Sequence, residues 1–547
     1  MKKYIKYAAA LLIAAAAMTF TSVSAQDIKE YIYENIRVEL ERDGGDGIRV
    51  GAELSEELRG NLIAVAYDRY GTICAADTVS LSSEKNTFVL KGTDIGTVKL
   101  FMRSDGVISE LTESMNVPTD APDTLRTDRN GNLIRNDGKT VVLRGVNFGG
   151  WLLQETWMCP VLAFDDTVTV KNGTENGWAN LDTLNELEKR FGKEKAAELT
   201  ENYRSAYITE QDFKNVKEMG FNCIRIPFWY RNFMSDEDGT YITENDNDNP
   251  GFKALDFACD MADKYGLYLV LDMHGCPGGQ NGSHTSGKTG RNYLYKEEKY
   301  QKIMEDLWIK IASRYKNREC IAAYDIMNEP LSDADTAHGV REEYAADPWT
   351  DKVLRSAVYD RMIKAVRSAD PYHTITLEAI WRTSSLPAPS DYGWTNVMYQ
   401  LHSYDSDAAT TAELVNSLAD VKRNYGAAAY MGEFNPLVYN GDIVNLMNSA
   451  GISYTLWNYK TAAVMSDSDW GLYHKNYTES DLKKIFGAAA DKFSKLLDGT
   501  FYSTKNLTDD EILSLYENWW TKEMLSTDNF TENKRLAECM QNSAAAQ

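Results

Sequence analysis

Cysteine is sparse in this chain. Seven occur in 547 residues (Cys74, Cys159, Cys223, Cys259, Cys276, Cys320 and Cys539), and no two stand as a CxxC pair. That excludes zinc-site spacing and falls far below the density of a disulfide scaffold. Buried thiols are expected, with at least one unpaired in a monomer, and the pairing of the rest stays open. Histidine is scarcer still, at six. Basic residues are outnumbered, 58 Lys and Arg against 81 Asp and Glu, for a formal charge of −23. Such a surface repels nucleic acid and anionic membranes and says little about a neutral ligand. Beyond the N-terminus no apolar run approaches membrane-spanning length, so no membrane insertion is expected. The sequence shows no internal repeat and no long low-complexity tract.

The N-terminus reads as a targeting segment. Lys2, Lys3 and Lys6 precede an apolar stretch of 11 residues, Ala8–Met18, and Val23-Ser24-Ala25 forms a small-residue cleavage site before Gln26. Residues 1–25 are therefore expected to be a signal peptide. No cysteine stands at the cleavage point, so a lipid anchor is not expected. The mature protein is expected to be exported, extracellular or periplasmic. Losing three lysines and no acids takes the charge from −23 to −26. The remaining chain is long enough for a large barrel plus a smaller module.

Residues 26–122 carry short β-rich runs: Ile36–Leu40, Gly47–Leu54, Asn61–Tyr67, Thr87–Leu90 and Thr97–Met102. Turn residues separate them, a spacing that predicts an antiparallel, immunoglobulin-like β-sandwich. It reads as a spacer or docking domain ahead of a carbohydrate-binding module, because no aromatic platform is evident. Pro118-Thr119-Asp120-Ala121-Pro122 reads as a linker.

From residue 128 to 547 the pattern changes. Apolar runs alternate with amphipathic helices, which predicts a parallel sheet. Eight strands are expected: Thr140–Phe148, Asn222–Phe228, Tyr268–His274, Ile321–Glu329, Thr374–Ile380, Val397–Tyr404, Ala428–Phe434 and Ser453–Tyr459. Before the second, Thr209 and Asp212 read as a helix start and Gly220 as its end. Eight such units make an α/β (β/α)8 TIM barrel, whose functional groups collect at the strand C-termini. A helical extension is expected after the eighth strand, with helices over Leu482–Leu497 and Asp509–Trp520. The expected strand ends offer Arg225, His274, Asn328, Glu329, His402, Tyr404, Glu433 and Trp457 around one cavity. Glu329 and Glu433 stand out, because each ends an apolar strand where an unpaired carboxylate is costly.

This constellation resembles glycoside hydrolase family 5, the clan A retaining β-glycanases, over roughly residues 130–475. The likeness rests on Asn328-Glu329-Pro330, His402-Ser403-Tyr404, Gly432-Glu433-Phe434 and Trp457, in order and at barrel spacing. Arg144-Gly145-Val146-Asn147-Phe148-Gly149-Gly150-Trp151-Leu152 and the loop Asp272–Gly282 are similar to motifs of exo-β-1,3-glucanases in that family. So is Ile208–Phe213. Leu331–Lys352 and the tail depart from the pattern.

The resemblance implies an O-glycosyl hydrolase that cleaves β-glucosidic bonds in β-1,3- or β-1,4-glucans by double displacement. Glu433 would be the nucleophile and Glu329 the acid/base, held protonated, with carboxyls about 5–5.5 Å apart. Arg225 and Tyr404 would support Glu433, and Asn328 would bond the sugar 2-hydroxyl. His274 and His402 would bind hydroxyls or orient the acid, and Trp457 would floor the ring. No metal or organic cofactor is implied. The alternatives are the same mechanism on another β-glycan or β-glycoside (mannan, xyloglucan, glycolipid) and a non-catalytic glycan-binding barrel.

Other candidates read as bland. His284, His338, His373 and His474 are expected to be structural. Trp151, Trp229, Trp381, Trp394 and Trp470 either line outer subsites or pack. Glu378 is expected beneath the site, and Cys276 is not expected to act as a nucleophile.

Overall fold

The computed structural model describes residues 28–117, 122–164, 178–330, 348–379, 382–464, 468–492 and 504–541, except for short stretches at 34, 43–46, 55–58, 69–70, 82–84, 93–94 and 505. The signal segment, most of the linker, His338, Trp381 and most of Leu331–Lys352 lie outside the described residues. The chain forms two compact units, divided between Asp120 and Ala121.

The N-terminal unit holds strands β1 (Ile28–Ile32), β2 (Ile36–Arg42), β3 (Gly47–Leu54), β4 (Asn61–Asp68), β5 (Ile73–Ser80), β6 (Asn86–Lys91), β7 (Ile95–Ser104), β8 (Val107–Glu110) and β9 (Met115–Asn116). Two antiparallel sheets result, in the orders β1-β2-β3-β6 and β5-β4-β7-β8, with β9 beside β7. Alternation drives them together. In β2, Ile36, Val38 and Leu40 are buried while Arg37, Glu39 and Glu41 between them stay at least partly exposed. Val38, Val50 and Phe88 from one sheet share a core with Leu62, Val98 and Leu100 from the other. Each such burial contributes about 1.5–3 kcal/mol. The expected β-sandwich is present, with β1, β5, β8 and β9 added to the strands anticipated.

The second unit opens with β10 (Arg126–Thr127), β11 (Leu133–Ile134) and β12 (Thr140–Val141), a small antiparallel sheet. The barrel follows: β13 (Arg144–Asn147), β14 (Cys223–Trp229), β15 (Tyr268–Gly275), β16 (Ile321–Asp325), β17 (Thr374–Glu378), β18 (Val397–Ser403), β19 (Ala428–Phe434) and β20 (Ser453–Leu456). These eight strands are parallel and close on themselves where β13 pairs with β20. Leu125 and Leu133 pack with Cys223, Val270, Ala322, Met398 and Ala428, which fills the barrel at the strand N-termini. Gly145 is needed where β13 meets β14, because a Cβ there would collide with the Cys223 carbonyl. The helix Glu210–Glu218 starts as expected. The Asp212 carboxylate accepts the Thr209 N–H at 2.6 Å, Phe213 and Val216 are buried, and Gly220 takes φ +83°.

Four strands differ from the reading of the sequence by more than one residue at an end. Thr140–Phe148 is two strands, because Thr140 and Val141 pair antiparallel with β11 before the chain enters the barrel. The third apolar run beyond it, Ile321–Glu329, stops at Asp325, Thr374–Ile380 at Glu378, and Ser453–Tyr459 at Leu456. Past Asp325 and Leu456 the backbone leaves the pleat, and Glu329 and Trp457 follow at the mouth of the cavity, while Ile380 lies outside the described residues. The helical extension is present as Glu479–Phe486, Asp509–Trp519, Lys522–Leu525 and Lys534–Gln541. Buried Lys460 ties it to the barrel by donating to the Tyr207 and Leu525 carbonyls at 2.5 Å each.

Candidate active site

Strand periodicity would turn Glu433 away from the cavity. In β19, Tyr430 points into the barrel, where its hydroxyl pairs with Thr455 Oγ1. Two residues on, Gly432 should share that face and Glu433 should oppose it. The β18–β19 register slips at this point: Leu401 pairs with Met431, but His402 pairs with Glu433. Gly432 is the extra residue of a bulge, which re-aims the next side chain inward. A Cβ at Gly432 would strike the Gln400 side-chain oxygen, so glycine is the residue that fits.

Arg225 is the hub beneath. Its side chain is fully buried and makes ion pairs with Asp272 at 3.1 Å, Asp325 at 2.8 Å and Glu433 Oε1 at 2.8 Å. It also donates to Asn147 Oδ1 at 3.1 Å and Asn328 Oδ1 at 2.9 Å. Burial opposes its charge, but the surrounding carboxylates more than offset that, and its pKa stands well above the ordinary value. Since Arg225 fixes the Asn328 oxygen, the Asn328 amide nitrogen faces His274 Nε2, at 3.3 Å. The other His274 nitrogen lies 2.7 Å from Asp272. Burial alone would lower the His274 pKa, but Asp272 outweighs it and the net shift is upward.

Glu433 and Glu329 face each other across His402. The Tyr404 hydroxyl donates to Glu433 Oε2 at 2.7 Å. His402 Nδ1 lies 3.0 Å from Glu329 Oε1 and 3.5 Å from Glu433 Oε2. The two oxygens therefore cannot be further apart than those distances laid end to end. That is the short limit of the about 6.5–9.5 Å used by inverting glycosidases. Burial raises the Glu329 pKa, with Glu155 adding to the effect against His274 and Arg225. Burial pushes the His402 imidazole down to about 3, so it is neutral near pH 7. Trp457 lies parallel to the His274 ring at 5.5 Å.

All eight anticipated residues thus meet at one mouth of the barrel. Several neighbours were missed. Glu155, in the loop after β13, is 3% exposed, accepts from Trp157 Nε1 at 2.7 Å, and lies 3.4 Å from His284 and 4.0 Å from His274. Burial would raise its pKa, but His284, His274 and Trp157 together bring it below the ordinary value. His284, read as structural, therefore belongs to this wall. Glu155 follows Trp151 by four residues, and that proximity was the one available signal. Asn147, Asp272, Asp325 and Gln400 were also passed over, although all four sit on barrel strands.

Of the tryptophans left open, Trp470 packs with Tyr404 and Trp157, while Trp151 and Trp394 pack against Phe257 and Tyr392. Burial pushes the Cys276 thiol well above its usual pKa, which disfavours the thiolate a nucleophile needs.

Residues 184–463 match the family model for cellulase, glycosyl hydrolase family 5. The chain belongs to glycosyl hydrolase family 5. Among curated relatives, this family 5 chain is 27% identical to a beta-xylosidase of Phanerodontia chrysosporium, over 60% of this chain and 69% of that one. It is 32% identical to glucan 1,3-beta-glucosidase 1 of Schizosaccharomyces pombe, over 35% of this chain and 44% of that one. It therefore spans less than half the length of that glucosidase. A rutinosidase structure from Aspergillus niger aligns with a TM-score of 0.44 at 17% identity, covering 60% of this chain and 95% of that one.

Within this family 5 site, Tyr404→Phe removes one donor from Glu433. A hydrogen bond to a charged group contributes about 1.5–3 kcal/mol. We expect kcat/KM to fall by roughly 10–100-fold, at about 1.4 kcal/mol per decade. Steady-state kinetics on an aryl β-glycoside check this, and an unchanged kcat/KM would remove Tyr404 from the machinery.

Proposed function

We propose that this protein is a retaining β-glycoside hydrolase acting on β-glucans, with Glu433 as nucleophile and Glu329 as acid/base. The observation that carries the reading is the pairing of two unlike carboxyls. Glu433 is gripped by Arg225 and Tyr404, both of which favour a negative charge. Glu329 sits across His402 in surroundings that favour its proton. In the first step Glu433 forms a bond to the anomeric carbon while the Glu329 proton passes to the departing oxygen. In the second, Glu329 takes a proton from water as that water displaces Glu433. Asn328, Glu155 and His274 line the floor where sugar hydroxyls would bind.

Stereochemistry tests the mechanism. Proton NMR of early hydrolysis of an aryl β-glucoside should show β-glucose first, with the α-anomer rising only by mutarotation. An α-anomer as first product would rule out double displacement. Substrate class is read from products on laminarin, lichenan, carboxymethyl-cellulose and glucomannan. One relative, matched over 60% of this chain, is named a beta-xylosidase, which makes an aryl β-xyloside the necessary competitor in that panel.

The signal-like start supports export. For the N-terminal unit, the strongly exposed large apolar residues among those described are Ile28, Ile32, Ile73, Val89, Val107 and Ile108, none aromatic. That favours a spacer or a docking module over a sugar platform.

A further inference from the structure

Glu378 ends β17 and has no assigned part in the chemistry. Its side chain is fully buried. One oxygen, Oε2, accepts the backbone N–H of Glu329 at 2.5 Å. The other, Oε1, lies 3.5 Å from His402 Nδ1 and has no hydrogen-bond partner among the described residues. Glu329 itself is unusual, because its φ is +39°. Non-glycine residues in the left-handed region are strained by roughly 1–2 kcal/mol and need surroundings that hold them there. The strand has already ended at Asp325, so the pleat no longer fixes this residue.

We infer that Glu378 is a positioning residue for the Glu329 carboxyl, acting through the Glu329 backbone N–H. The inference rests on the acid/base reading of Glu329. By taking that N–H from beneath, Glu378 fixes residue 329 in its left-handed conformation and sets its side chain against His402. The task needs an acceptor oxygen and no charge. Burial, with Glu329 and Asp325 nearby, pushes the Glu378 pKa well above the ordinary carboxyl value, in the direction of the uncharged form.

The test compares Glu378→Leu with Glu378→Gln on two substrates, phenyl β-glucoside and 2,4-dinitrophenyl β-glucoside. The dinitrophenolate leaves without a proton, so its release does not depend on where Glu329 points. Leucine removes the acceptor. We expect kcat/KM for the phenyl glucoside to fall about 10²-fold, the scale of a misplacement of about 1 Å. The dinitrophenyl glucoside should change by less than about tenfold, one decade of rate. Glutamine keeps an oxygen acceptor and should recover most of the loss on the phenyl glucoside.

Equal losses on both glucosides, or a Glu378→Gln as damaged as Glu378→Leu, would overturn the inference. If Glu378→Leu does not fold, Glu378→Gln alone decides. Selective collapse on the phenyl glucoside sinks the acceptor role, and retention upholds it. A wild-type protein that turns over neither glucoside would instead sink the hydrolase reading, and this inference with it.

Discussion

Glu433→Gln is expected to lower kcat on the order of 10⁶-fold, the scale on which a covalent nucleophile is lost elsewhere, while glycan binding survives. The substitution is nearly isosteric. Its amide oxygen still accepts from Arg225 or Tyr404, so the cavity keeps its shape. What disappears is the lone-pair attack on the anomeric carbon, which no neighbour can take over. Glu329 lies across His402 in surroundings that raise its pKa, while Asp272 and Asp325 are fully buried below Arg225. Kinetics on 2,4-dinitrophenyl β-glucoside and calorimetric titration with a laminari-oligosaccharide separate the two effects. The wild type treated with a 2-deoxy-2-fluoroglucosyl fluoride should gain one sugar mass on the peptide bearing Glu433. Undiminished turnover by the glutamine variant would refute the assignment. Binding without turnover in the wild type as well would mark a glycan-binding barrel.

Arg225→Met should be among the most destabilising single changes in the barrel, at about 3–5 kcal/mol, the cost of leaving a buried charge without its partner. Methionine is close in volume, so packing is a minor part of the loss. Three carboxylates lose their shared cation at once. The pH dependence has a definite sign. Even beside Arg225, burial pushes Asp325 from 3.8 to about 7. A carboxyl that binds its proton more tightly when folded favours the native state at low pH. Stability therefore declines as pH rises from about 4 to about 7 and levels off above. Arg225 acts against that upward shift, so its removal should extend the decline to higher pH. Urea titrations from pH 4 to pH 8 would show the variant still losing stability above about pH 7, where the wild type has levelled off. Parallel curves would mean that Arg225 and Asp325 are not coupled.

The barrel was readable because most of its strands are apolar runs buried on both faces, as Ala428-Ala429-Tyr430-Met431 shows. The sandwich was readable only where one face is buried. Ile36, Val38 and Leu40 announced β2, whereas β1 and β8 are exposed along most of their length and β5 is mostly exposed, so no periodicity marked them. Strand ends overshot where the chain stops being pleated in order to aim a side chain, as between Asp325 and Glu329. Glu329 and Glu433 stood out because each comes at the end of an apolar run of sequence. Glu155 and His284 lie in loops, where no period distinguishes a wall residue from a solvated one. Asp272 and Asp325 face the barrel interior from their strands, and the placement of Arg225 explains why charges are tolerated there.

Gly432 has a consequence for anyone transplanting this chemistry. Counting residues along β19 from its buried start puts the nucleophile on the wrong side, and the miscount at Gly432 corrects it. The site thus carries an odd-even defect in its scaffold as a working part. An idealised barrel with eight faultless strands and every polar side chain copied would present Glu433 to its helices. Deleting this one glycine along with its bulge would restore the count instead, because Glu433 would then follow Met431 directly, opposite His402, and still face inward.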